Sequence, residues 1–319
     1  MPALQNHTPP IHLAKSPRNL RDAGGNIYRN MALYYADAKP ADTDRAHTDR
    51  HGHIMLKVAL GQFAVSPRWE TNLEHILGLI RQAAMEKAGL LVLPEGILAH
   101  DIADPDIIAK TAQPLDGPFM SRLLHESRDV DMTIMGCVHV PDGQGRYHNT
   151  LVVLHKGKIT AQYRKLHLYD AFAVQESRNV TPGQEIPPIV DVAGFRIGLM
   201  TCYDVRFPEL ARRLALDGAD ALVLPAAWVR GPLKEEHWKV LVTARALENT
   251  CYMIAVSECG NRNIGSSMVV DPLGVAIVQA GEAPTLAFCS ISHERIAHAR
   301  TIVPVLQNRR FGTPELRQD

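Results

Sequence analysis

Cys202 has the clearest potential for covalent chemistry in this chain. It follows Phe195-Arg-Ile-Gly-Leu-Met-Thr201 and precedes Tyr-Asp-Val-Arg-Phe-Pro-Glu-Leu210. The apolar run reads as a buried strand in which Gly198 allows close backbone approach. Pro208 suits the first turn of a helix, and Glu209 suits the positive end of its dipole. A thiol at a strand end leading into a helix lies where α/β sheets bind ligands. With a cation or base beside it, such a thiol becomes a nucleophile. Without one it is a small buried hydrophobe, the commoner fate of a free cysteine. Glu95 is the second unusual residue, a carboxylate directly after Leu90-Leu-Val-Leu-Pro94. It either caps the following turn or serves as a functional group at the mouth of a strand. Lys165, in Tyr163-Arg-Lys-Leu-His-Leu168, follows a strand and precedes the polar loop 170–183. Taken alone, a lysine there is solvated.

The elements that would position these groups form a pattern. Residues 56–65 read as a strand. Over 72–87, Leu73, Ile76, Leu77, Ile80 and Ala84 recur at helical spacing, and Gly89 stops the helix. Residues 90–93 form a short buried strand. The same unit returns as strand 196–201, helix 207–216 and strand 221–224. Leu-Leu-Val-Leu-Pro-Glu95 is matched by Ala-Leu-Val-Leu-Pro-Ala226. This is a weak internal repeat of two halves, each presenting groups at strand ends. Two such halves packed sheet to sheet, helices outside, would bring Glu95 and Cys202 together. Further strands read at 132–140, 150–155 and 158–163, the last two joined by a Lys156-Gly157 turn. A helix follows over 233–248, then strands at 252–256, 267–270, 275–278 and 286–290. A short helix covers 293–300, and 303–319 is a tail of the kind that docks on a partner subunit.

Composition excludes several classes. With formal net charge +0 and pI about 7.3, the chain has no field suited to nucleic acid or a membrane surface. It has no apolar run of the ~18 residues that a membrane span requires. The five cysteines are odd in number and lack C-x-x-C spacing. They suit free thiols in a reducing cytoplasm better than a disulfide framework or a zinc cluster.

Residues 1–54 stand apart. They hold five of the fifteen histidines and no apolar periodicity. Without an apolar segment they are no secretory signal, and irregular spacing argues against a histidine metal site. They read as a disordered extension or, because the first strand begins beside Met55, as a segment misassigned upstream of the natural start. The domain expected to fold is 55–319, including the C-terminal tail.

Three segments together, Leu93-Pro-Glu95, Tyr163-Arg-Lys165-Leu-His and Thr201-Cys202-Tyr-Asp-Val-Arg206-Phe-Pro-Glu-Leu, resemble the nitrilase (carbon–nitrogen hydrolase) superfamily in order and spacing. Within it the cysteine motif is similar to the Nit branch, whose members are amidases. The resemblance covers the chain from about Met55 to the tail. It implies a four-layer α-β-β-α sandwich and a catalytic set with Glu95 as base, Lys165 as cation and Cys202 as nucleophile. Glu176 matches a second glutamate in the loop after the lysine. No metal and no organic cofactor are implied, and a homodimer is expected. The implied reaction is hydrolysis of a small-molecule amide through a cysteine thioester, with burial raising Glu95 toward the working pH. The implied substrate is deaminated glutathione, giving 2-oxoglutarate and cysteinylglycine in metabolite repair.

Substrate-binding positions are read from Arg206, Tyr203 and Trp228. Arg206 either clamps a substrate carboxylate or pairs with Glu209 or Asp204. Tyr203 and Trp228 either line the pocket or pack. Competing functions are an ω-amidase on 2-oxoglutaramate, an N-carbamoyl amino-acid hydrolase and a catalytically dead binding protein. A papain-like protease would need a histidine base, and His139, His148 and His167 lack the local motif.

Overall fold

Leu56, Val58 and Leu60 face one side of a strand and Ala59 the other, and both sides are buried. That arrangement explains the nearly continuous apolar runs and sets the architecture. The computed structural model describes residues 47–48, 54–101, 103–104, 106–172 and 174–317. The first sheet runs β1 (His47–Thr48), β2 (Ile54–Gln62), β3 (Leu90–Val92), β4 (Thr133–Pro141), β5 (Tyr147–His155) and β6 (Lys158–Arg164) in that order. Strands β2, β3 and β4 are parallel; β4, β5 and β6 are antiparallel. Helix α1 (Trp69–Met85) makes the first crossover, α2 (Ile107–Thr111) and α3 (Pro118–Ser127) the second. A two-stranded ribbon follows, β7 (Asp170–Ala171) with β8 (Val174–Gln175), then a 3-10 turn at Glu176–Arg178.

The second sheet contains β9 (Val190–Val192), β10 (Phe195–Leu199), β11 (Ala221–Ala226), β12 (Tyr252–Ser257), β13 (Met268–Val270) and β14 (Ala276–Gln279), adjacent in that order. Here β10, β11 and β12 are parallel. Their crossovers are α4 (Pro208–Leu216) and α5 (Lys234–Asn249). Strand β15 (Thr285–Ser292) returns to the first sheet, antiparallel to β2. Helices α6 (His293–Ile302) and α7 (Val305–Asn308) close the chain.

Three apolar clusters define the layers. One lies between the sheets, where Leu56, Val58 and Val153 meet Phe195, Ile197 and Val223. A second joins the outer face of the first sheet to α1 and α3 through Leu73, Ile76, Leu91 and Phe119. A third joins the outer face of the second sheet to α4 and α5 through Leu214, Leu222 and Trp238. The result is the expected four-layer α-β-β-α sandwich. Each such aliphatic side chain contributes about 1.5–3 kcal/mol by burial.

The repeated unit is present in both sheets as a parallel strand–helix–strand crossover. Gly198 is where it must be small: a Cβ there would lie 2.7 Å from Leu222 Cδ2 and 3.1 Å from Leu214 Cβ. Sequence periodicity misses α2 and β9, which are too short to show a period, and also the ten-residue α3, whose buried apolar residues are only Phe119, Met120 and Leu123. The loop 170–183 contains β7, β8 and the 3-10 turn. Of residues 1–54, His47, Thr48 and Ile54 are described, and all three join the first sheet. The rest of the anticipated extension lies outside the described residues.

Candidate active site

β10 ends at Leu199, and the chain turns at once into a 3-10 helix, Cys202–Arg206. Cys202 opens that turn with φ 45°, the left-handed region that non-glycine residues seldom occupy. Such strain persists only where neighbours over-determine it, and it gathers at functional sites. Asp204 is the determinant. Its fully buried carboxylate accepts from Thr201 N (2.8 Å), Tyr163 Oη (2.8 Å) and His167 N (3.2 Å), and His167 Nδ1 lies 2.7 Å away. It therefore fastens the cysteine turn to the segment that carries Lys165.

Glu95 arrives from the other half, just beyond β3. Its backbone N–H donates to Ala226 O at 3.3 Å, so the two equivalent strand ends touch. Lys165 Nζ donates to Glu95 Oε1 at 3.0 Å and to Glu176 Oε2 at 2.8 Å. Asn149 Nδ2, from β5, bridges the same carboxylates at 2.7 and 3.2 Å. Ala227 N donates to Glu95 Oε2 at 2.9 Å, and Tyr169 N to Glu176 Oε2 at 2.6 Å. The Cys202 thiol hydrogen-bonds Glu95. Cys202, Glu95 and Lys165 are all buried, and the structure brings all four residues of the expected catalytic set together.

The electrostatics correct one expectation. Burial does push the Glu95 carboxyl up, but the Lys165 ammonium and hydrogen bonds from Cys202, Lys165 and Ala227 outweigh it, leaving the carboxyl at about 2. Glu95 thus rests as a carboxylate instead of being raised toward neutrality. Burial and the Glu95 charge push the Cys202 thiol well above its ordinary value. Lys165 pays for desolvation, but Glu176 and Glu95 hold its ammonium well above the usual lysine range. The resting set is therefore thiol, carboxylate and ammonium, with the proton on sulfur and its acceptor already hydrogen-bonded to it.

A cavity of about 510 Å³ opens on this set, lined in part by Glu95, Lys165, Glu176, Cys202 and Trp228. Its size suits a small organic substrate. Of the expected substrate-binding residues, only Trp228 lines it. Tyr203 packs edge-on against Tyr169 and Phe207, with ring centroids 5.2 and 5.3 Å apart. Arg206 matches neither reading as written. It lies off the cavity wall and forms no ion pair with Glu209 or Asp204, whose carboxylate is already occupied. Its guanidinium lies 5.0 Å from the Trp228 ring, its Nη2 is 3.5 Å from His237 Nδ1, and its buried Nε has no hydrogen-bond partner.

The cavity wall also holds Lys234, Asn149 and His100, none of them singled out in the sequence, and His139, considered there only as a protease base. His100 Nδ1 lies 2.5 Å from Glu258 Oε2, and the imidazole is held above its ordinary pKa by that carboxylate against the pull of burial. Asn149 sits in Tyr147-His-Asn, a polar start to a strand that apolar patterning begins one residue later. His100 and Glu258 are far apart in sequence, and no local signal pairs them.

Comparison with known proteins agrees with this geometry. The carbon-nitrogen hydrolase family profile matches residues 57–301. The chain is 55% identical over 261 residues to a deaminated glutathione amidase of Escherichia coli O157:H7, covering 82% of this chain and all of that protein. It superposes on Nit3 of Saccharomyces cerevisiae, a member of the nitrilase superfamily, with TM-score 0.72 at 27% identity, covering 83% of this chain and 100% of that one. A mutant amidase from Nesterenkonia sp. AN1 matches with TM-score 0.71 at 26% identity, covering 83% of this chain and 96% of that one. That protein carries the acetamide moiety of fluoroacetamide covalently added at its active-site cysteine. Sequence, fold and the arrangement of the buried groups agree, and the chain belongs to the carbon–nitrogen hydrolase family.

Proposed function

We propose that this protein is an amidase that hydrolyses deaminated glutathione to 2-oxoglutarate and cysteinylglycine, with Cys202 as nucleophile. The observation that carries the reading is the buried Glu95–Lys165–Cys202 cluster on one cavity wall, together with the relationship to the Escherichia coli amidase. Cys202 Sγ attacks the amide carbonyl carbon while its proton passes to Glu95, the base already hydrogen-bonded to it. The oxyanion that develops is stabilised by the Lys165 ammonium and the Tyr203 N–H, a donor at the start of the 3-10 turn. Collapse breaks the C–N bond, Glu95 protonates the departing nitrogen, and cysteinylglycine leaves. Glu95 then takes a proton from water, which attacks the thioester. Expulsion of the sulfur, reprotonated from Glu95, releases 2-oxoglutarate. Glu176 and Asn149 hold Lys165 and Glu95 in register for both halves of the cycle.

These steps use side chains and water alone, so a chelator is expected to leave turnover unchanged. Activity lost to a chelator and restored by a metal would contradict that. The enzyme works in the cytoplasm as a homodimer in this reading. Val240 and Leu247 on α5, Val275 just before β14 and Ile277 within it are exposed apolar residues that support a subunit contact. Light scattering on the purified chain tests it, a monomer at all concentrations being the contrary result. The substrate is tested by measuring product and ammonia release from a panel of amides: deaminated glutathione, 2-oxoglutaramate and N-carbamoyl amino acids. Deaminated glutathione is expected to have the highest kcat/KM. A higher value for either of the others would transfer the assignment to that activity.

A further inference from the structure

Lys234 is the first residue of α5 and is 3% exposed. A buried cation at the N-terminus of a helix opposes the helix dipole. It also forms no ion pair with any described residue. Its first-turn neighbours Glu235 and Glu236 are exposed, and Glu235 lies near Arg230 instead. The ammonium donates to Tyr169 Oη at 2.9 Å and sits 4.3 Å from the Phe172 ring centroid and 5.0 Å from those of Tyr169 and Trp228. A second cation shares this aromatic cage: the Arg206 guanidinium lies 5.0 Å from Trp228 and 5.9 Å from Phe172. Aromatic faces offset part of the cost of burying a cation. They do not neutralise two.

Burial, and then Arg206, hold the Lys234 ammonium below the usual lysine range, whereas negative charge at Cys202 would raise it. Lys234 lines the cavity with Cys202, while Arg206 does not. Glu95 and Glu176 are taken up by Lys165, so the Lys234–Arg206 pair is left without an ion-pair partner among the described residues, with a buried Nε of Arg206 still unsatisfied. An anion supplied by the substrate completes the site.

We propose that Lys234 binds the carboxylate on the acyl half of the substrate amide, with Arg206 as a positioning residue that reinforces its charge through the shared cage. This deepens the amidase reading above and rests on it. In deaminated glutathione the α-keto carboxylate lies a short chain from the carbonyl under attack, and it stays in the cavity throughout the thioester stage. The glycine carboxylate departs with the leaving group.

The test compares wild type, Lys234→Met and Lys234→Arg on three amides. They are deaminated glutathione, 4-oxopentanoyl-cysteinylglycine, which keeps the ketone and carries a methyl group in place of the acyl-side carboxylate, and deaminated glutathione with its glycine carboxylate amidated. Binding of 2-oxoglutarate to the Cys202→Ala protein, with and without Lys234→Met, is measured by calorimetry. Lys234→Met is expected to lower kcat/KM about 10- to 150-fold on the two keto-acid amides, the value of a lost charge-assisted hydrogen bond, mainly through KM. The neutral-acyl amide should change little, Lys234→Arg should recover part of the loss, and 2-oxoglutarate binding should weaken alongside. An equal loss on all three amides, or a loss that depends on the glycine carboxylate, would overturn the assignment. So would unchanged 2-oxoglutarate binding. Failure of wild type to cleave deaminated glutathione, with 2-oxoglutarate binding still dependent on Lys234, would refute the substrate and leave the anion site standing.

Discussion

Lys165 is the residue on which the site's electrostatics turn. It lies between two carboxylates, 3.0 Å from Glu95 and 2.8 Å from Glu176, with 2% of its side chain exposed. A buried ion network of this kind is weak evidence of stabilisation, because desolvation consumes much of the Coulombic gain. Lys165 keeps Glu95 ionised, and in the proposed mechanism it provides a cation for the oxyanion. Lys165→Met leaves two buried carboxylates facing each other. The variant is expected to lose about 3–5 kcal/mol of stability and at least about 10²–10³-fold in kcat, read by urea unfolding and steady-state kinetics. Glu95→Gln should lose as much activity, and the double variant should be no worse than the poorer single, since residues acting as one unit are not additive. Multiplying losses would show that the two act independently. Lys234 and Asn149 illustrate where residue types mislead. Leu233-Lys234-Glu235-Glu236 has the pattern of a solvated helix start, yet the fold turns the lysine inward onto aromatic rings that come from two separate segments, Tyr169 with Phe172 and Trp228.

At the scale of elements, the decisive feature is the tight passage from β10 into the 3-10 turn and α4. Gly198 lets α4 approach the sheet. Gly198→Ala would press a methyl group 2.7 Å from Leu222 Cδ2. The expected cost is about 1–3 kcal/mol from overpacking, with kcat falling because the cysteine turn is displaced. A variant as stable as wild type in chemical denaturation would show that the contact relaxes freely. Most crossover strands and helices were legible in the sequence because their apolar patterns are bounded by signals such as Gly89, Pro94, Pro208 and Gly218. Both copies of the strand–helix–strand unit could be read, and so could the strand ends that carry Glu95 and Cys202. α2, α3 and β9 could not, and neither could Asp204 as the tie between Tyr163, His167 and the Cys202 turn. Those contacts cross from one sheet to the other, and no spacing within a single segment encodes them.

At the scale of the whole molecule, the sandwich places matching strand ends of its two halves against each other and buries the titratable groups between them. His139 records the cost. Burial, despite the opposing pull of Glu95, lowers its pKa to about 4. In the unfolded chain it binds its proton near pH ~6.5. Between those values the unfolded state holds more protons, so this contribution to stability is present above about pH 6.5 and is lost as pH falls toward 4. Over that range the loss is about 3 kcal/mol, and subtracting the pH dependence of His139→Gln from that of wild type isolates it. An identical pH dependence in the two proteins would show that His139 is not the cause. The catalytic account itself rests on a covalent bond at Cys202, and the most direct measurement is the mass of enzyme acid-quenched while turning over deaminated glutathione. The expected result is a gain of one 2-oxoglutaryl group on the peptide containing Cys202, absent from Cys202→Ala, which also releases no product. Unmodified Cys202 throughout turnover, with product still released by Cys202→Ala, would contradict it.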